Sequence, residues 1–201
     1  MAKKKAHIDA AIAAAQEEHG LLLVITGNGK GKSTSAFGMV ARALGHGMKV
    51  GVVQFIKART DTGEEAFLAR QPGVEWHVTG DGFTWDTQNR AQDIATAERG
   101  WAIAACMLTD PAFNLVVLDE LTYLMSYGYL DSDTVLDALA NRPAMQHVVV
   151  TGRAASDALI ELADTVSASS ISAADAARPV TTTCCVGGRW ASESSTVSAS
   201  R

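Results

Sequence analysis

Cysteine is scarce in this sequence. There are three, Cys106 and the neighbours Cys184 and Cys185, and no C-x-x-C spacing among them. An odd count without that spacing argues against a disulfide framework and offers no zinc site; it fits a reducing cytoplasm. Excess positive charge is lacking as well. The net charge is −5, so bulk charge gives no sign of a nucleic-acid partner. No apolar run approaches the length of a membrane span, so no membrane is expected. The opening MAKKK is basic, but AHIDAAIAAAQEEHG behind it carries Asp9, Glu17 and Glu18 and does not read as a signal peptide. Internal repeats and domain-sized linkers are also missing. What remains is a chain of 201 residues, 47% apolar, suited to one domain around one buried core.

Periodicity supplies the elements. In residues 3–18, Ile8, Ala11, Ile12 and Ala15 recur at helical spacing, and Gly20 stands past the end as a stop. The lysines at the start oppose the helix dipole, so its first turn is expected to fray. LLLVIT (21–26), VGVVQFI (50–56), VEWHVT (74–79), NLVVLDE (114–120) and HVVVTG (147–152) read as strands, most of them solid apolar runs. Helices are expected over about 33–45, 88–109, 131–140 and 155–164. Asp110-Pro111 ends the second of these, and Ser156 is the N-cap of the last. Strands without alternation, separated by helices, predict an α/β fold: a mostly parallel sheet with helices on both faces. The expected division is an amino-terminal helix (1–20), a nucleotide-binding domain (21–167) and a Ser/Ala/Thr-rich tail (168–201), disordered or loosely attached.

Between the first strand and the following helix lies TGNGKGKST, Thr26 to Thr34. The phosphate-loop pattern G-x-x-x-x-G-K-[ST] wants glycine where Thr26 stands, and here the glycines come later, at Gly27 and Gly29. Strand, glycine loop and helix in that order still form a phosphate-binding context. Gly27, Asn28, Gly29, Lys30 and Gly31 would turn backbone N–H groups toward phosphate oxygens. The helix start adds its positive end. Lys32 would set an ammonium against the phosphates, with Lys30 as a second charge. Ser33 would offer a hydroxyl to magnesium (or manganese), with Thr34 beside it. The partner acid is Asp119 at the end of LVVLDE, reaching magnesium through water. Glu120 next to it has two readings: it orients an attacking water, or it forms a salt bridge or supports the residues that touch the ligand. From the residues alone this is an ATP-binding, magnesium-dependent phosphate-loop protein of RecA-like architecture. Hydrolysis, phosphoryl transfer and attack elsewhere on the nucleotide all stay open.

Five segments together resemble the phosphate-loop ATP:corrinoid adenosyltransferases of the bacterial vitamin B12 pathway. They are TGNGKGKST, ALGHGMKVGVVQFIK, GFTWDTQNR, LDELTYLMSYGYL and VVVTGR followed by ELADTVS, covering about 18–167. GFTWDTQNR is the most specific. The resemblance implies that cobalt(I) of a reduced corrinoid attacks the 5′ carbon of ATP and that the whole triphosphate leaves. It implies that ATP lies in the loop in the reverse sense to common ATPases. It also implies that Phe83 and Trp85 lie under the corrin ring and displace the lower axial ligand. Read alone, that aromatic pair would simply pack into a core. By the same resemblance Arg42 lies near the nucleotide, Glu120 near the ribose and Arg153 at the ligand edge of the sheet; each also reads as an ordinary surface charge. A homodimer, covered at its active site by the amino-terminal helix, and a flavodoxin-like electron donor are implied as partners.

The tail departs from the resemblance. After ELADTVS a run like E-[LM]-R-P-V-K-H-A-F is expected, and ASSISAADAARPV stands there instead. A different tail and a shifted reading frame of a GC-rich gene both explain it; the coding DNA read in its other frames separates them. Two further readings compete with adenosyl transfer: a phosphate-loop ATPase or kinase, and a non-catalytic ATP- or corrinoid-binding protein.

Overall fold

The structure is a computed structural model that describes residue 5, residues 18–56, 62–80 and 89–169, and the backbone of 185–186 and 189–190. Apart from Lys5 and Glu18, the helix expected over 3–18 lies outside the described residues. The chain divides into two compact units, Met1–Ser169 and Ser170–Arg201.

Six strands make one sheet in the first unit: β1 (Leu22–Thr26), β2 (Val50–Gln54), β3 (Val74–Val78), β4 (Leu115–Asp119), β5 (His147–Thr151) and β6 (Thr165–Ala168). Their order across the sheet is β3-β2-β4-β5-β1-β6, and every ladder is parallel. The helices between them are α1 (Lys32–Gly45), α2 (Gly63–Leu68), α3 (Arg90–Thr109), α4 (Leu121–Ser126), α5 (Ser132–Ala140) and α6 (Asp157–Leu162). In the second unit, β7 (Cys185–Val186) pairs antiparallel with β8 (Arg189–Trp190).

Helices cover both faces, as the solid apolar runs require. Successive side chains of a strand point to opposite faces, so a strand covered on both sides is apolar throughout. On β4, Leu115 and Val117 pack with Ala36, Phe37, Val40 and Ala43 of α1. Val116 and Leu118 pack on the other side with Ala104, Met107 and Leu108 of α3 and Leu139 of α5. Caps set the helix starts: Asn89 accepts from the Gln92 N–H before α3, Asp131 from Thr134 before α5, and Ser156 from Leu159 before α6.

Three elements carry no periodic signal. Helices α2 and α4 are six residues each, under two turns, too short for an apolar stripe to repeat. Strand β6 is exposed along its length and rests on backbone pairing with β1. Asp164 anchors it. Its backbone N–H donates to the Leu22 carbonyl at 3.0 Å, and its Oδ2 accepts from the Leu22 N–H at 2.7 Å. That N–H bond, helped by His19 and Arg142 and opposed by burial, holds the Asp164 carboxyl below its ordinary value. A depressed carboxyl stabilises the fold above its unfolded pKa, and the contribution fades as pH falls through the folded value. Asp164→Ala is therefore expected to lower the unfolding free energy by about 1–3 kcal/mol near neutral pH, because it strands a buried strand N–H. In urea titrations the deficit should shrink below about pH 4.

Candidate functional site

Strand β1 stops at Thr26, and the chain turns through Gly27–Gly31 into α1. Gly27 and Gly31 sit at φ 98° and 94°, the left-handed region open to glycine. Gly31 is the residue before α1, and its carbonyl accepts the first helical bond, from Ser35 N–H at 2.8 Å. The N–H groups of Lys32, Ser33 and Thr34 follow in the first turn, where an α-helix has no acceptor of its own. The Lys32 side chain folds back into the loop. It is 7% exposed, and its Nζ donates to the Gly27 carbonyl at 2.9 Å and the Gly29 carbonyl at 2.8 Å. Asn28, Lys30 and Thr34 are exposed, and Ser33 is half-buried. The result is a short glycine turn closed around an internal ammonium, at the carboxyl end of β1. Ligands of parallel sheets bind at that edge.

Side chains lace the same edge of the sheet together. Asp119, the last residue of β4, is fully buried. Its Oδ2 accepts from Gln54 Nε2 at 2.9 Å, and its Oδ1 accepts from Thr151 Oγ1 at 2.7 Å. Gln54 and Thr151 end the strands on either side, β2 and β5. The indole N–H of Trp76 on β3 donates to Gln54 Oε1 at 3.1 Å, which fixes the way the amide faces. Four neighbouring strands are thus joined in their spatial order. Thr151 Oγ1 also accepts from the Glu120 N–H at 3.0 Å. With both its oxygens engaged, Asp119 suits an outer role toward a metal, through water.

Glu120 follows in the left-handed region, φ 66° and ψ 22°, rare for a residue with a side chain and a mark of local strain. That turn starts α4. Thr122 Oγ1 on α4 donates to the Arg153 carbonyl at 2.6 Å, tying α4 to the loop after β5. Tyr123 lies within the fields of both charged groups. Burial first, then the Glu120 charge, push its phenol above the ordinary value, Arg153 works the other way, and Tyr127 adds a further upward push. The Tyr123 phenol therefore keeps its proton at neutral pH.

The structure brings Gly27–Thr34, Asp119, Glu120 and Arg153 to one edge of the sheet. Strands β1 and β4 are separated by β5, so their ends are about 10 Å apart, room for phosphates and water. It does not bring Arg42 there. That residue lies in the last turn of α1, ten positions after Lys32, and the helix rise makes this about 15 Å. Arg42 lines a pocket at the opposite edge, with Leu23, Met39, His46, Leu115 and His147. Phe83 and Trp85 lie outside the described residues. Sequence reasoning missed Gln54 and Thr151. The one available signal was a polar residue in each of two otherwise apolar runs, Gln54 inside VGVVQFI and Thr151 at the end of HVVVT. No group of three or more His, Cys, Asp or Glu able to hold a metal occurs among the described residues, and none of their helices is long and apolar enough to cross a membrane.

The sequence that builds this edge matches known proteins. The family described as ATP:corrinoid adenosyltransferase BtuR/CobO/CobP matches residues 18–175. The chain belongs to this family. A corrinoid adenosyltransferase of Pseudomonas aeruginosa is 62% identical over 172 residues, 85% of each chain. One of Escherichia coli is 52% identical over 163 residues, 81% of this chain and 83% of that one. The corrinoid adenosyltransferase CobA of Salmonella typhimurium is 52% identical over 165 residues, 82% and 84%. The family match spans the whole six-stranded sheet, and with it the phosphate loop and the Asp119-Glu120 pair.

Thr151→Val tests the lacing at this edge of the adenosyltransferase-family sheet. It keeps the side-chain shape but removes the donor to Asp119 and the acceptor of the Glu120 N–H. The unfolding free energy should fall by about 1–3 kcal/mol, read as a lower urea midpoint with an unchanged slope.

Proposed function

We propose that this protein transfers the 5′-deoxyadenosyl group of ATP to the cobalt(I) of a reduced corrinoid and releases triphosphate. Cobalt(I) supplies the electron pair for the new cobalt–carbon bond, and the pair of the broken C5′–O bond leaves with the triphosphate. The observation that carries this reading is the loop itself. Its lysine is buried among its own carbonyls and its helix start is open, in a chain that belongs to the corrinoid adenosyltransferase family. A leaving group that gains negative charge is stabilised by donors already in place. Lys32 and the first N–H groups of α1 supply them. Lys30, exposed beside them, adds positive charge at the mouth.

Magnesium fits the residues present. The chain offers hard oxygen donors, the Ser33 hydroxyl and the Asp119 carboxylate, and no cage of protein ligands among the described residues. An ion held mainly by phosphates and water needs no more. When bound, it would neutralise charge on the departing triphosphate. Ser33 would hold it directly and Asp119 through water. Glu120 and Arg153 flank the nucleotide, Glu120 toward the ribose. In this reading Phe83 and Trp85 occupy the lower face of the corrin and exclude a donor atom from the cobalt. Action as a homodimer, with a flavodoxin-like electron donor, belongs to the same reading and rests on the resemblance alone.

Incubation with ATP, magnesium and chemically reduced cob(I)alamin should give a light-sensitive adenosylated corrinoid. Absence of that product from folded protein contradicts the proposal. Lys32→Ala should lower the rate by at least roughly 100-fold, the scale of losing a donor to developing charge. Phe83→Ala with Trp85→Ala should slow the reaction from cob(II)alamin far more than from pre-formed cob(I)alamin. Equal losses in the two assays would leave the aromatic pair a packing role only.

A further inference from the structure

Ser169 follows the last strand of the sheet and meets the phosphate loop. Its N–H donates to the Thr26 carbonyl at 2.8 Å, continuing the β1–β6 ladder past Ala168. Its carbonyl accepts from the Gly29 N–H at 2.7 Å. Its hydroxyl donates to the Lys30 carbonyl at 2.7 Å. One residue therefore makes three hydrogen bonds to the loop, at both its entry and its middle. The approach is close. A Cβ at Gly27 would stand 2.2 Å from the Ser169 carbonyl oxygen, and one at Gly29 would stand 2.5 Å from the Ser169 hydroxyl. Both distances are well inside contact. The glycines at 27 and 29 thus have a cause separate from any phosphate: they let the end of β6 lie against the loop.

We infer that Ser169 is a positioning residue for the triphosphate site, acting through the loop peptide between Lys30 and Gly31. A trans peptide is planar, with its C=O and N–H pointing in opposite directions. The Ser169 hydroxyl holds the Lys30 carbonyl toward β6, so the Gly31 N–H of the same peptide is turned away from β6, into the concavity that opens on α1. Opposite constraints fix the neighbouring peptide. Lys32 Nζ holds the Gly29 carbonyl from inside the loop, which turns the Lys30 N–H the other way. The Gly29 N–H is committed to Ser169 and leaves the set of phosphate donors. Those donors then begin at Gly31 and run into the first turn of α1. This inference rests on the loop being the nucleotide site, and its test separates the two.

Binding of ATP and of inorganic tripolyphosphate, each with magnesium, is measured by calorimetry for the parent protein, Ser169→Ala and Ser169→Thr. Alanine keeps both backbone bonds and removes only the hydroxyl. The expected result is a dissociation constant raised about threefold to tenfold in Ser169→Ala, by the same factor for both ligands, and restored in Ser169→Thr. The melting temperature should stay unchanged. Parent-like affinity of Ser169→Ala for both ligands overturns the inference while leaving the function intact. A loss for ATP without one for tripolyphosphate also overturns it, because the effect would then lie outside the phosphates. A parent protein that binds neither ligand rejects the nucleotide site itself. Gly29→Ala is a second probe. It should weaken tripolyphosphate binding at least as much as Ser169→Ala, by pushing Ser169 off the loop, and unaltered binding would count against the clamp.

Discussion

The buried carboxylate of Asp119 organises the functional edge of this protein. A carboxylate with no solvent exposure is costly unless its oxygens are satisfied. Here each oxygen has one side-chain donor, and each donor ends a neighbouring strand: Gln54 on β2 and Thr151 on β5. Trp76 extends the row to β3. The chain of hydrogen bonds therefore runs across the sheet, at right angles to the strands, and holds their ends in register. On the far side of β5 a separate contact reaches β1: the Ala155 N–H, in the loop after β5, donates to Thr26 Oγ1, and Ser169 meets the phosphate loop. The phosphate loop hangs from the end of β1 at this edge, and its position depends on the sheet.

That dependence connects structure to chemistry. A loop gripping three phosphates as one leaving group needs donors that do not reorganise while charge builds. Lys32 pulls two loop carbonyls inward, and Ser169 pulls one outward. The two pulls orient consecutive peptides before any ligand arrives. Strain is kept nearby, at Glu120, whose left-handed backbone turns β4 directly into α4 and brings the acid to the mouth of the site. Tyr123, one turn on, has its phenol pushed upward by burial first and by the charge of that acid second, and it stays neutral.

Much of this was legible in the sequence, for physical reasons. Strands buried on both faces must be apolar throughout, so β1, β2, β4 and β5 stood out as solid runs. Glycines with a lysine pair between a strand and a helix marked the loop, and an acid closing LVVLDE marked its partner. Backbone-driven features escaped. Strand β6 is polar and exposed because its pairing, not its side chains, holds it in place. Helix α4 is shorter than two turns. Ser169 makes two of its three bonds to the loop through peptide groups, and its place against the loop is a long-range contact that no residue pattern encodes. Arg42 was expected near the nucleotide by resemblance to the family, not from any physical signal in the residues. The rise of α1 carries it to the other end of the sheet.

The shifted glycines of TGNGKGKST thus have a structural cause in the packing of Ser169, just past β6, on the loop, and the donors left for phosphate oxygens begin at Gly31. The most direct measurement is phosphorus NMR of the nucleotide products during turnover with reduced corrinoid. The account predicts unbroken tripolyphosphate, formed one for one with the adenosylated corrinoid. ADP and orthophosphate as the primary products would contradict it.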